Sequence, residues 1–123
     1  MLNLTHHIAI ICSDRKKALD FYINKLGFVM IREAERPQDT LIMLQQGQTV
    51  LELFIKPDAP QRIDNPEALG LRHLAFRVEN MDEAVAWLQS RGVETEPVRN
   101  DTINGGRFTF FRDPDGLPLE LHE

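Results

Sequence analysis

Residues 4–12 alternate apolar with other side chains and are rich in β-branched types, which predicts a strand, and Ser13-Asp14 then offers a helix cap. From Arg15 to Leu26 the residues Ala18, Leu19, Phe21, Tyr22, Ile23 and Leu26 recur near the helical period, and Gly27 follows as a stop. Phe28–Glu33, Thr40–Leu44 and Thr49–Ile55 read as three short strands. Arg36-Pro37-Gln38-Asp39 separates the first two, and Gln46-Gly47-Gln48 closes the last two into a hairpin.

Lys56 to Gly70 contains Pro57, Pro60 and Pro66 among polar residues and predicts a connection, with one helical turn at Pro66 to Leu69. The first pattern then returns. Leu71–Glu79 predicts a strand, and Asn80 or Met81-Asp82 opens a helix whose Ala84, Val85, Trp87 and Leu88 share a side before Gly92. Val93–Val98, Arg107–Phe111 and Leu117–Leu121 predict three more strands, turned at Asn104-Gly105-Gly106 and Asp113-Pro114-Asp115-Gly116. The chain is therefore expected to be one α+β domain over residues 1–123. It would hold two βαβββ modules, 1–56 and 71–123, joined by the Pro-rich connection 57–70.

Composition narrows the partners. The chain carries 14 Lys+Arg against 19 Asp+Glu, a formal charge of −5, which disfavours nucleic acid. No apolar run approaches the roughly 18 to 20 residues that span a bilayer, so no membrane segment is expected. The single cysteine, Cys12, cannot form an internal disulfide and reads as a small buried residue, and the first residues do not resemble a signal peptide. A reduced, cytoplasmic protein follows as the expectation. At 123 residues the chain is small for an enclosed site of its own, which a homodimer would remedy.

The repeat also carries the candidate chemistry. His7-Ile8-Ala9-Ile10 is echoed by His73-Leu74-Ala75-Phe76, and Leu51-Glu52-Leu53 by Leu119-Glu120-Leu121. His7 and His73 are 66 residues apart and Glu52 and Glu120 are 68 apart, so each module sets a His and a Glu at matching places. Strand parity puts each His on the face of a small Ala two residues on, and each Glu on the face opposite its flanking leucines. A carboxylate there is costly to bury without a partner. Two imidazoles and two carboxylates, His7, Glu52, His73 and Glu120, suit a divalent metal such as Zn, Ni, Co, Mn or Fe. His6 has the opposite parity and is assigned a structural role, while His122, near the end, is placed at the surface or at the rim of the site. Phe108, Phe110 and Phe111 read as core and pocket wall.

These residues resemble the vicinal oxygen chelate superfamily, in particular its glyoxalase I-like bacterial branch. Further carriers are Asp14, Asp20-Phe21-Tyr22, Leu26-Gly27-Phe28, Glu52-Leu53-Phe54, Gly70-Leu71-Arg72 before His73, and Phe111-Arg112-Asp113-Pro114-Asp115-Gly116 before Leu117. The resemblance spans nearly the whole chain. It implies paired βαβββ modules forming an open, cupped mixed sheet around one divalent metal held by His7, Glu52, His73 and Glu120. The implied activity is that of a lactoylglutathione lyase-like lyase or isomerase, which moves a proton between adjacent carbons of a metal-chelated α-oxo or α-hydroxycarbonyl substrate. A methylglyoxal thiol adduct is one such substrate. Glu120 would be the principal base and Glu52 its counterpart.

Two departures bear on the substrate. Glyoxalase I proper carries an Arg four residues after the first His ligand and an Asn four after the first Glu ligand, both holding glutathione; here Ile11 and Lys56 stand there. Glutathione or another thiol therefore enters only as a candidate cosubstrate. The alternatives are a thiol transferase, a ring-cleaving dioxygenase, or a non-catalytic protein that binds a drug or other small molecule. A fourth ligand counts against the dioxygenase, and four metal-type ligands count against the binding protein.

Overall fold

The computed structural model describes residues 1–123, and the chain divides into two units, Met1–Pro60 and Gln61–Glu123. Each is built on a four-stranded mixed sheet.

In the first unit β1 (Ile8–Cys12) leads into α1 (Arg15–Leu19), and then come β2 (Val29–Glu35), β3 (Thr40–Gln46) and β4 (Thr49–Ile55). The sheet order is β1-β4-β3-β2, with β1 parallel to β4 and the other pairs antiparallel. The Asp14 side chain accepts from the Lys17 backbone N–H at 2.9 Å, the cap expected from Ser13-Asp14. The predicted helix over Arg15–Leu26 changes character halfway: Asp20–Lys25 is π-helical. Its wider turn is marked by Leu26 N–H donating to the Phe21 carbonyl at 2.9 Å, and the adjacent Phe21 and Tyr22 are both buried there. Their rings meet edge to face at 5.0 Å, and Tyr22 meets Phe28 at 6.4 Å.

The second unit repeats the order. β5 (Leu74–Arg77) is followed by α2 (Met81–Ser90), β6 (Arg99–Asn100), β7 (Arg107–Arg112) and β8 (Pro118–His122), arranged β5-β8-β7-β6 with β5 parallel to β8. Asn80 caps α2 through the Glu83 N–H. The strand expected over Val93–Val98 is absent; the last ladder contact falls to Arg99–Asn100. Pro97 has no N–H to offer a ladder, and the Thr109 hydroxyl takes the Glu96 carbonyl at 2.6 Å. Nor is there a helical turn at Pro66–Leu69: Asp64 bridges Glu67 across a turn, while Arg62 donates to the Leu71 and Arg72 carbonyls and to Asp64.

Alternation separates the faces of each sheet. In the first, Ile10, Cys12, Ile42, Leu44, Leu51, Leu53 and Ile55 are buried together with Ala18, Phe21, Tyr22, Leu26 and Phe28 from the helical side. In the second, Thr109, Phe111, Leu119 and Leu121 are buried, as are Met81, Leu88 and Val93. The opposite faces keep the intervening residues, and the candidate chemistry lies there.

Candidate metal site

Both histidines stand one residue before the first strand of their unit, shorter than the strands expected from 4 and from 71. The parallel ladders place Ala9 beside Glu52 and Ala75 beside Glu120. Each His therefore sits two residues before an Ala that is directly alongside the Glu. With only a methyl group between, the imidazole reaches diagonally across to the carboxylate. His7 Nδ1 is 3.2 Å from Glu52 Oε2, and His73 Nε2 is 2.7 Å from Glu120 Oε2. Glu120 is buried at 8% exposure, and Glu52 is half-buried.

The surroundings differ. His7 is exposed and its Nδ1 also lies 2.8 Å from Nδ1 of His6. His6 is exposed and touches the candidate residue itself, which parity alone did not foresee. His73 is more enclosed: Phe110 meets its ring edge to face at 5.0 Å. Arg72 Nη1 is 3.2 Å from its Nδ1.

The donor chemistry fits a divalent cation in halves. Each pair offers one imidazole nitrogen and one carboxylate oxygen already in contact, and a cation would take the place of the proton between them. A metal on His73 Nε2 leaves Nδ1 carrying hydrogen, so the mostly exposed Arg72 would have to turn aside for that N–H to find an acceptor. No group of three or more His, Cys, Asp or Glu side chains placed to hold a metal occurs in the chain, so neither pair is a complete coordination set alone.

Sequence patterning did not single out two further clusters. His122 is half-buried in the β8 ladder instead of frayed at the surface; its Nε2 is 3.0 Å from Asp101 and its Nδ1 is 2.6 Å from the Glu123 carbonyl. The Asn104 N–H, His122 and the Ile103 N–H hold the Asp101 carboxyl well below its usual range. Asp101 and the Glu123 carbonyl in turn raise the His122 imidazole. The Asp-x-x-Asn-Gly-Gly turn was the available signal, but its partner is 21 residues away. In the first unit, Asp39 accepts from Arg36 at 2.7 Å and from Lys56 at 3.2 Å, and the Arg36 guanidinium lies 5.3 Å from the Phe54 centroid. Lys56 thus meets a carboxylate of its own chain. Arg107 is likewise engaged, with Glu123 and Asp82. Ile11 remains exposed on the face of Ala9 and Glu52.

The sequence pattern of the Glyoxalase/Bleomycin resistance protein/Dioxygenase superfamily matches residues 4–121. The chain belongs to that superfamily. It is 54% identical to the uncharacterized protein YwkD of Bacillus subtilis (strain 168), over all of this chain and 98% of the relative. A lactoylglutathione lyase of Neisseria meningitidis serogroup A is 32% identical, over 94% of this chain and 86% of that protein. Among solved structures, the glyoxalase family protein from Enterococcus faecalis matches with a TM-score of 0.96 at 50% identity, covering 99% and 98% of the two chains. The two four-stranded mixed sheets with few helices are the α+β architecture of this superfamily, as expected from the repeat.

Proposed function

We propose that the chain is a metal-dependent, glyoxalase I-like lyase or isomerase acting on a small α-oxo or α-hydroxycarbonyl compound. One observation carries this reading: two His–Glu pairs occupy equivalent ladder positions in the two units, at 3.2 and 2.7 Å. Random placement of histidines on exposed strand faces gives no reason for each to meet a glutamate across an alanine. His7, Glu52, His73 and Glu120 would together hold one divalent ion in a cytoplasmic homodimer of single-domain chains. When bound, the metal supplies Lewis-acid polarisation of a chelated carbonyl. Glu120 would be the principal base that takes the proton from one carbon, with Glu52 as its counterpart at the neighbouring carbon. Burial of Glu120 beside Phe110 keeps bulk water from that proton. A thiol adduct of methylglyoxal is the first substrate to try, although Ile11 and the occupied Lys56 leave glutathione without its usual contacts.

Elemental analysis of purified, reconstituted protein and metal-dependent turnover of methylglyoxal with glutathione test this reading. Stoichiometric metal and turnover are expected. Failure to bind any divalent metal sinks the enzyme; bound metal without turnover keeps the site and rejects that substrate.

A further inference from the structure

Two residues along β7 and β8 from Phe110 and Glu120, and four along the chain from His73, a second row of side chains crosses all four strands of the second unit. Arg77 on β5 stands beside His122 on β8. His122 lies opposite Phe108 on β7, and Phe108 opposite Arg99 on β6. Parity puts all four on the face that carries Glu120 and Phe110.

Contacts tie this row to the candidate site. The Arg99 guanidinium is 4.8 Å from the Phe108 centroid and 6.0 Å from that of Phe110. Phe110 in turn meets the His73 ring. On the other side His122 stacks on Phe108, with centroids 6.3 Å apart and ring planes inclined by 11°. The opposing charges are Glu96, which accepts from Arg99 Nη2 at 3.1 Å, Asp101, which faces His122, and Glu120, two residues before His122 on the same face. A guanidinium laid over aromatic rings is held in plane and weakly hydrated, with N–H edges aimed sideways. That geometry suits a planar carboxylate, which it can meet with two parallel hydrogen bonds.

We infer that this row reads a carboxylate at the far end of the substrate, with Arg99 as the specificity-determining residue and the exposed Arg77 as a second, weaker attraction; the inference rests on the preceding section for the reacting end. Two residues of strand cover about 6.6 to 6.8 Å. The carboxylate and the reacting carbonyl are therefore separated by several bonds. The substrate class is a 2-oxo or 2-hydroxy acid bearing a distal carboxylate.

The test is calorimetric titration of metal-free and Mn(II)-loaded protein with 2-oxoglutarate and with 2-oxopentanoate, which share a chain length and differ in the distal carboxylate. In both states 2-oxoglutarate should bind at least about tenfold more tightly. Arg99→Gln should bring the ratio to within about threefold. Arg99→Lys, which keeps charge without the planar fork, should restore part of it, and Arg77→Gln should lower it less than Arg99→Gln. Circular dichroism should be unchanged, because the Arg99 side chain is half in solvent. Equal binding of the two acids by wild type, binding of neither, or a ratio that survives Arg99→Gln overturns the inference. Loss of the metal-enzyme reading looks different: Mn(II) fails to bind, while discrimination by the metal-free protein still judges the row.

Discussion

His73 Nε2 lies 2.7 Å from a Glu120 carboxylate oxygen, reached diagonally across Ala75, which stands beside Glu120 in the parallel pair of β5 and β8. The same relation holds for His7, Ala9 and Glu52 with a longer contact. The second pair is the more enclosed, which supports Glu120 over Glu52 as the proposed base.

Replacing Glu120 by Gln keeps the size of the side chain and removes its basicity. Turnover should fall by at least about a hundredfold, with the far-UV spectrum retained. His73→Ala and His7→Ala should instead lower the metal content measured by elemental analysis. A Glu120→Gln protein with normal turnover would show that the base lies elsewhere.

Ala75 is exposed and makes room for the imaginary line from His73 to Glu120. A leucine at this position would fill that room without touching the core. Ala75→Leu should change stability by no more than about 0.5 kcal/mol and weaken metal binding sharply, read by titration against a chelator. Unchanged metal affinity would mean that the diagonal contact is not what positions His73.

Thr109 is fully buried, and its hydroxyl donates to the Glu96 carbonyl at 2.6 Å. It secures a segment that lacks a ladder. Thr109→Val preserves shape and leaves that carbonyl short of a partner, at a cost of about 1 to 3 kcal/mol in denaturant unfolding. A loss no larger than that of an exposed substitution would show that Val93–Val98 is held by other contacts.

Much of the fold was legible because each sheet has one buried face, and period-two alternation reports that directly. The His and Glu positions were legible for the same reason, since parity and the repeat select them together. What escaped depends on partners distant in sequence. Nothing local to Val93–Val98 announces that Thr109 will take its carbonyl, although Pro97 was a warning. The π-helical segment, in which Phe21 and Tyr22 are both buried, leaves no mark in a sequence window that also satisfies the period of 3.6. His122 looked loose because its neighbours in the chain are few, yet Asp101 and the β7 ladder anchor it. The row from Arg77 to Arg99 exists only through cross-strand register.

Glu123 closes the second unit and supplies a pH dependence with a definite sign. Its carboxylate accepts from Arg107 at 2.8 and 2.9 Å and from the Met81 backbone N–H, at the start of α2, at 3.0 Å. The Arg107 hydrogen bonds, followed by the Met81 N–H, lower its pKa from 4.5 to about 2. A depressed carboxylate binds its proton more readily when unfolded, so its stabilisation is fully present above the unfolded value and is lost as pH falls through the folded one. Arg107→Gln should therefore lower the melting temperature by a constant amount at neutral pH. That difference from wild type should shrink between about pH 4.5 and pH 2, as thermal scans at stepped pH would show. A difference that persists undiminished at pH 2 would mean that Arg107 acts through packing and not through the Glu123 carboxylate.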